Sequence, residues 1–205
     1  MDARLAVLAS GTGTNLQALL DHPVVGPWVT LVVSDRGDAR ALERARERGV
    51  RAELLDPAAF ADRAAYDARL VDLLRANAID VVVLAGFMRI LGPEVVRAFP
   101  ERIVNIHPAL LPSFPGAHGI EDAFAWGVKV TGVTVHLVDE EMDHGPILAQ
   151  EAVPILPTDD VGSLEQRIHQ VEHRIYAPAV RAVVEGRVKL QGRVAHVLEE
   201  DGNDG

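Results

Sequence analysis

The chain has 205 residues, of which 48% are hydrophobic and 24% charged, and this globular composition fits one domain or one domain with a small extension. No apolar run approaches the ~20 residues that cross a bilayer, and the N-terminal apolar stretch is too short for a signal peptide. Cysteine is absent, which excludes disulfides, thiolate nucleophiles and Cys-based zinc sites, and the net charge of −10 argues against nucleic acid as the main partner. These features predict a cytoplasmic protein that binds small molecules and neither nucleic acid nor membrane; monomer and homodimer both stay open.

Short apolar runs alternate with helical patterns through the first half of the chain. Strands are predicted at about residues 4–9, 29–34, 51–55, 80–85 and 102–106, and helices from about residue 15 and at 39–48 and 63–77. The run at 80–85 is almost wholly apolar, which is typical of a strand buried on both faces. The alternation predicts a mostly parallel sheet with right-handed crossovers and helices on both sides.

The pattern changes after Pro108. Prolines and Gly116 punctuate an irregular loop, a helix follows at about 119–126, and longer strands at 128–138 and 147–153 are joined by an acidic loop. Two long strands connected in this way predict an antiparallel pair.

The last main helix is expected to begin at Ser163, with Gln166 completing a capping box, and Pro178 should kink the helix or end its first part. The fold class is therefore predicted as single-domain α/β, with a Rossmann-like, mostly parallel sheet flanked by helices and an antiparallel C-terminal strand pair. Residues 1–198 would form this domain, and residues 199–205 an acidic flexible tail.

A glycine-rich turn, Gly11-Thr-Gly13-Thr14, directly follows the first predicted strand and opens a helix. Glycines allow a close approach of the backbone to a ligand, and free N–H groups at a helix start attract anions. Such a turn would offset locally the repulsion between an anionic substrate and the negative net charge. A plain strand-to-helix turn with Thr14 as N-cap explains the same residues equally well.

A dinucleotide site is a second alternative for this turn. Gly11 and Gly13 resemble the start of the dinucleotide fingerprint, and Asp35 ends the second strand where a ribose-binding acid would lie. The third glycine of the fingerprint, however, should fall at position 16, which is Leu16. The turn therefore fits a phosphate monoester better than a dinucleotide.

Asn105 and His107 stand two residues apart at the end of a predicted strand, so their side chains should share one face. An amide and an imidazole placed there can bind an oxygen that becomes negative during acyl transfer, and histidine can move a proton. Asp143 lies in the acidic loop; if that loop folds over His107, the carboxylate should raise the pKa of the imidazole. No spacing of histidines and carboxylates favours a metal site, so none is predicted.

Four segments give the chain a family resemblance. They are SGTGTNL at 10–16, VVLAGFMRIL at 82–91, NIHPALLP at 105–112 and DHGP at 143–146. In order and spacing, from about residue 3 to 190, they resemble the phosphoribosylglycinamide formyltransferase family. The resemblance implies transfer of the formyl group of 10-formyltetrahydrofolate, as co-substrate and without a metal, to the amine of 5-phosphoribosylglycinamide in purine biosynthesis.

The resemblance also implies roles for individual residues. Asn105, His107 and Asp143 would be catalytic. The phosphoribosylglycinamide site would use Gly13, Thr14, Asn15 and Glu172. The folate site would use Arg63, Met88, Arg89, Ile90, Leu91, Asn105, Asp139, Glu140, Glu141, Met142 and Asp143.

Two departures from the family pattern stand beside these residues. Ala109 takes a place where serine is common, and His144 one where glycine is common, which bears on how freely the Asp143 loop moves. A formyltetrahydrofolate hydrolase, which gives the formyl group to water, carries similar motifs and is the nearest alternative function. A phosphate- or dinucleotide-binding module is a further alternative.

Overall fold

The computed structural model describes residues 3–198, and the tail predicted at 199–205 lies outside the described residues. The strands are β1 (Leu5–Leu8), β2 (Val29–Ser34), β3 (Arg51–Leu54), β4 (Val81–Leu84), β5 (Ile103–His107), β6 (Val130–Leu137), β7 (Ile147–Pro154), β8 (Val188–Gln191) and β9 (Val194–Val197). The α-helices are α1 (Thr14–Asp21), α2 (Arg40–Glu47), α3 (Arg63–Ala76), α4 (Pro93–Ala98), α5 (Gly119–Trp126) and α6 (Val161–Val184).

Strands β1 to β7 form one sheet in the order β3-β2-β1-β4-β5-β6-β7. The pairs from β3 to β5 are parallel, whereas β6 is antiparallel to both β5 and β7. The predicted fold class is confirmed. The strand order reverses between β1 and β4, and in open α/β sheets a reversal of this kind leaves a crevice at the carboxyl ends of the strands.

Helices cover both faces of the sheet, and the side chains of each central strand alternate between two apolar layers. On β1, Leu5 and Val7 pack in the layer that includes α1 and α6, while Ala6 and Leu8 pack in the layer that includes α3. The side chains of β4 alternate between the same two layers, and the strand is buried, as its apolar sequence predicted. This burial fixes the strand ends from which the cleft is built.

The last helix differs from its prediction at two points. It begins at Val161, and Asp160 is its N-cap: the Asp160 side chain accepts from the Ser163 N–H at 2.7 Å, and Ser163 Oγ accepts from the Asp160 N–H at 3.1 Å. The predicted capping box of Ser163 and Gln166 is therefore wrong, because Ser163 occupies the third helical position. Helix α6 also does not end at Pro178 but continues to Val184, which excludes one of the two expectations for that proline; a kink there stays a prediction.

Helix α4 and the β8–β9 hairpin were not predicted from the sequence. Helix α4 follows Gly92 and begins with Pro93, and proline at the first helical position is a known start signal. The β8–β9 hairpin forms a separate two-stranded sheet after α6, and Val188 and Leu190 pack against the main core.

Tyr176 ties α6 to the two strands that lead into the cleft. Its hydroxyl donates to the Leu84 carbonyl of β4 at 2.7 Å and lies 3.1 Å from the Val104 carbonyl of β5, and the side chain is fully buried. We expect Tyr176→Phe to lower the free energy of unfolding by about 1–2 kcal/mol, because buried carbonyls lose a hydrogen-bond donor. Urea denaturation measures this change.

Tyr66 provides the matched control. It is equally buried, but its hydroxyl has no hydrogen-bond partner among residues 3–198. Tyr66→Phe should leave the free energy of unfolding unchanged or raise it, because no bond is lost and a desolvated hydroxyl is removed. Equal destabilisation by the two substitutions would contradict the role given to the Tyr176 hydroxyl.

Candidate functional site

A cleft of about 520 Å³ opens at the carboxyl ends of β1, β4 and β5, beside the reversal in strand order. Its wall contains the glycine turn, the loop after β4, the end of β5, the β6–β7 loop and one side of α6. The predicted site residues that line it are Gly13, Thr14, Asn15, Met88, Arg89, Ile90, Leu91, Asn105, His107, Asp139, Glu140, Glu141, Met142, Asp143 and Glu172. Tertiary structure thus gathers residues that are up to 159 positions apart, from Gly13 to Glu172.

The glycine turn forms one end of the cleft. Gly13 is the N-cap of α1 with φ of 72°, and a Cβ there would lie 3.0 Å from Ala41 of α2. Glycine is therefore required by both backbone conformation and space. The alternative with Thr14 as N-cap is wrong, because Thr14 is already helical. Leu16, where a dinucleotide fingerprint needs glycine, is fully buried in the core.

Arg44 brings a positive charge to this turn. Its Nε donates to the Thr12 carbonyl at 2.8 Å and its Nη1 to Gln17 Oε1 at 2.9 Å. The Arg44 side chain also packs beside Gly13, where a Cβ would lie 3.3 Å from Arg44 Cδ. Sequence analysis missed Arg44 because this residue of α2 belongs to no recognisable motif. Together with the N–H groups at the start of α1, it favours an anion at this end of the cleft.

Asn15 and Glu172 form a buried polar pair across the cleft. Asn15 Nδ2 donates to Glu172 Oε2 at 3.0 Å, which joins α1 to α6, while Asn15 Oδ1 is buried and lacks a partner among the described residues. Burial raises the pKa of Glu172, and the Asn15 hydrogen bond and His169 oppose that rise. The side chain of Asn15 is thus committed to Glu172, and its second polar atom can accept a hydrogen bond from a ligand.

Asn105 and His107 project from the end of β5 toward Asp143. Asn105 Nδ2 lies 3.5 Å from Asp143 Oδ1, and His107 Nδ1 lies 3.5 Å from Asp143 Oδ2. On its other side, the His107 ring donates from Nε2 to the Phe114 carbonyl at 2.8 Å. The two-residue spacing on the strand therefore brings both side chains to one carboxylate.

Asp143 is held in place by a backbone donor and an unusual backbone conformation. The Gly116 N–H donates to its Oδ2 at 2.7 Å, and its φ of 51° lies in the left-handed region. Burial alone would raise the pKa of this carboxyl, but the nearby His136, the Gly116 N–H and the nearby His107 outweigh burial and lower the pKa. Asp143 is therefore ionised at neutral pH.

The pKa of His107 differs from its prediction. Asp143 and the Phe114 carbonyl do favour the imidazolium, as expected of an adjacent carboxylate. Burial has the larger effect, since the side chain is only 3% exposed, and it lowers the pKa below the ordinary value of 6.5. In the free protein His107 is therefore mainly neutral at pH 7, and the predicted rise in its pKa is wrong.

His136 is a member of the site that the sequence analysis did not identify. It lies directly opposite Asn105 in the β5–β6 register, and its Nε2 is 3.1 Å from Asn105 Nδ2 and 3.7 Å from Asp143 Oδ1. Its Nδ1 donates to the Leu137 carbonyl at 2.8 Å, which leaves Nε2 to accept from Asn105. The sequence feature that could have identified His136 is the presence of a polar residue inside an apolar strand.

Apolar side chains are exposed at the other end of the cleft. Met88 and Ile90, in the loop after β4, and Met142, in the β6–β7 loop, are more than half exposed. Large exposed apolar side chains gathered in one cleft indicate a ligand with a flat apolar part.

Arg63 is the one predicted site residue that does not line this cleft. Its Nη2 donates to the Ile90 carbonyl at 2.8 Å, and its Nε lies 3.4 Å from the buried carboxylate of Asp67. In the free protein Arg63 therefore supports the loop after β4 from the start of α3.

Residues 3–198 contain no group of three or more histidines and carboxylates arranged to hold a metal ion, and the prediction of a metal-free site stays a prediction. Within the same range, no helix combines the length and apolar character needed to cross a bilayer.

Comparison with known proteins gives a consistent result. The family described as formyl transferase matches residues 3–180. A phosphoribosylglycinamide formyltransferase of Mycobacterium tuberculosis is 49% identical over 196 residues, which cover 94% of this chain and 90% of that protein. The trifunctional purine biosynthetic protein adenosine-3 of Drosophila melanogaster is 44% identical over 94% of this chain, a match that covers 15% of that longer protein.

A solved structure agrees with these sequence matches. The crystal structure of glycinamide ribonucleotide transformylase 1 from Symbiobacterium toebii superposes with a TM-score of 0.93 at 50% identity, covering 96% of this chain and 94% of that one.

The ionisation of His107 can be measured directly. We expect its imidazole to titrate below 6.5 in the free protein, because burial outweighs the nearby carboxylate. Asp143→Asn should lower the pKa further, since that substitution removes the charge that favours the imidazolium. NMR titration of the histidine ring protons measures both values, with His107→Gln to assign the resonance. A His107 pKa above 6.5 in the unmodified protein would contradict the dominance of burial.

Proposed function

This chain belongs to the formyl transferase family, and from that membership and the site geometry we propose that it transfers the formyl group of 10-formyltetrahydrofolate to the amine of 5-phosphoribosylglycinamide. The names of its relatives support formyl transfer in purine biosynthesis. The observation that carries the proposal is the convergence of Asn105, His107 and Asp143 between an anion-binding turn and an apolar slot.

In the proposed reaction the substrate amine attacks the formyl carbon and forms a tetrahedral intermediate with an oxyanion. Asn105 Nδ2 carries two hydrogens: one faces His136 Nε2 at 3.1 Å, and the other forms the long 3.5 Å contact with Asp143. The long contact is weak, so the oxyanion can replace it with a short hydrogen bond. His136 thereby fixes the orientation of the amide toward the reacting carbon.

His107 moves the proton that the reaction must transfer. Because its ring is mainly neutral in the free protein, it can accept the proton that the attacking amine loses. The resulting imidazolium is stabilised by the oxyanion, by Asp143 and by the Phe114 carbonyl. The oxyanion then collapses to a carbonyl as the bond between the formyl carbon and the tetrahydrofolate nitrogen breaks. That nitrogen takes the proton from His107, with a water beside Asp143 as the relay, and the formyl group remains on the substrate amine.

The phosphoribosyl substrate occupies the end of the cleft with the glycine turn. Its phosphate binds the N–H groups of Gly13, Thr14 and Asn15 beside the Arg44 guanidinium, which offsets the negative charge of the protein. The unpartnered Asn15 Oδ1 and the Glu172 carboxyl accept hydrogen bonds from the ribose or glycinamide portion. Asn15 thus contributes its backbone to the phosphate and its side chain to the rest of the substrate.

The folate occupies the opposite end, where Met88, Ile90, Leu91 and Met142 face a flat apolar ring. Arg89, which lies over the Tyr66 ring, and Arg63 provide positive charge near this mouth. The polar groups of the pterin bind the loop from Asp139 to Asp143. The small-molecule partners, cytoplasmic location and absence of a metal belong to the same proposal.

We expect Asn105→Ala and His107→Ala each to lower kcat by about 100- to 1,000-fold, the loss typical of removing one oxyanion donor, for Asn105, or one group that transfers a proton, for His107. The KM values of both substrates should change little, because these groups act on the intermediate rather than the ground state. Steady-state kinetics measures the effect, and thermal melting shows that each variant remains folded. Near-normal turnover by either folded variant would contradict the catalytic assignment.

One assay separates the proposed function from its alternatives. Consumption of 10-formyltetrahydrofolate by the purified chain should depend on added 5-phosphoribosylglycinamide, because the amine is the acceptor. Turnover at the same rate without the ribonucleotide would assign the chain as a formyltetrahydrofolate hydrolase. Failure to consume the folate under any condition would favour a phosphate- or dinucleotide-binding module.

A further inference from the structure

The β6–β7 loop that carries Asp143 is strongly acidic and is held at both ends by arginines from other elements. Near its start, Arg97 of α4 forms a two-bond contact with Glu140, at 2.8 and 3.3 Å. At its end, Arg193 donates from Nη2 to the His144 carbonyl and from Nη1 to the His144 ring, 2.7 Å from Nε2. Without such contacts, the repulsion among four carboxylates at positions 139, 140, 141 and 143 would favour opening of the loop.

The arginine at the end of the loop comes from outside the main sheet. Arg193 stands in the turn between β8 and β9, and the family match ends at residue 180, before this hairpin begins. The hairpin is anchored independently of the loop, because Val188 and Leu190 pack against the main core. The Leu198 N–H donates to the Arg187 carbonyl at 2.8 Å and closes the base of the hairpin. The hairpin therefore holds the backbone of Arg193 in a fixed position.

His144 transmits the contact into the loop. Its Nδ1 lies 2.8 Å from Asp139 Oδ2, and because a carboxylate cannot donate, Nδ1 carries the hydrogen. Arg193 Nη1 contacts the same ring, 2.7 Å from Nε2 and 3.3 Å from Nδ1. Asp139 in turn accepts from the Glu141 N–H at 3.0 Å. A glycine at position 144 would provide only the carbonyl contact and would leave Asp139 without this link to the hairpin.

Asp143, with its left-handed backbone, is the immediate neighbour of His144. On the other side of His144, Gly145 has little space, since a Cβ there would lie 1.8 Å from the Leu137 carbonyl. The backbone on either side of His144 therefore has little freedom, so the orientation of the Asp143 carboxylate depends on where His144 is held.

We propose that Arg193 is a positioning residue: through the ring and carbonyl of His144, it holds the loop of residues 138–145 in the conformation in which Asp143 faces His107 and the loop lines the folate end of the cleft. The kinetic consequence rests on the proposed function, because it assumes that Asp143 acts in formyl transfer. The structural consequence, an ordered loop in the free protein, does not depend on that function.

Arg193→Ala tests the proposal, and Lys189→Ala is its matched control, since it removes the same charge from an exposed position on the same hairpin. We expect R193A to raise the KM for 10-formyltetrahydrofolate about twofold to fivefold, the range for losing half-exposed contacts, and to lower kcat. The KM for 5-phosphoribosylglycinamide should not change. K189A should match the unmodified enzyme, and the effect of R193A should shrink in a His144→Gly background, where the ring contact is already lost.

Amide hydrogen exchange of the ligand-free protein tests the loop itself and needs no activity. R193A should speed exchange of residues 139–145 and leave residues 188–197 unchanged. Unchanged exchange at 139–145 would overturn the proposal, as would equal acceleration at 188–197, which would mean that Arg193 only stabilises the hairpin. The proposal would also be overturned if the unmodified enzyme shows ribonucleotide-dependent turnover and R193A has the same folate KM and the same kcat. Absence of that turnover would count against the proposed function, while the exchange result would still decide the role of Arg193 in the loop.

Discussion

The carboxylate of Asp143 joins the parts of this site that come from separate segments of the chain. One oxygen faces Asn105 on β5 and His136 on β6, and the other faces His107 and accepts from the Gly116 N–H of the proline-rich loop. The carboxylate is ionised and half-buried, and moving it away would leave the Gly116 N–H and one Asn105 hydrogen without an acceptor. The arrangement of the catalytic end of the cleft therefore depends on where the β6–β7 loop places this one group.

Burial opposes charge throughout the site and determines the state of its titratable groups. It lowers the pKa of His107 and raises the pKa of Glu172, so both groups are moved toward their neutral forms. Asp143 is the exception because it has a backbone donor and two nearby imidazoles. A neutral imidazole beside an ionised carboxylate can accept a proton and then be stabilised as a cation, which suits an amine that must lose a proton as it attacks.

The protein carries a net charge of −10, and the proposed substrates are anionic. Arginines placed at particular points resolve this conflict. Arg44 lies against the glycine turn, Arg89 lines the cleft, and Arg97 and Arg193 contact the acidic loop. Each acts over a few ångströms, within the distance at which salt screening is weak, so the local field can differ in sign from the global one.

Sequence alone determined the fold class, because apolar runs buried on both faces and separated by helical patterns fit only a parallel sheet covered by helices. It also determined the pairing of Asn105 with His107, since alternate residues of a strand share a face, and the position of the glycine turn between a strand and a helix, whereas the positive φ of Gly13 came from the structure. It did not identify His136 or Arg44 as site residues or predict the contact of Arg193 with His144, because those contacts join residues that neither periodicity nor a local motif relates. The tertiary structure also reversed the predicted direction of the His107 pKa. A charged neighbour can be inferred from a motif, whereas the depth of burial that outweighs it depends on how every surrounding element packs.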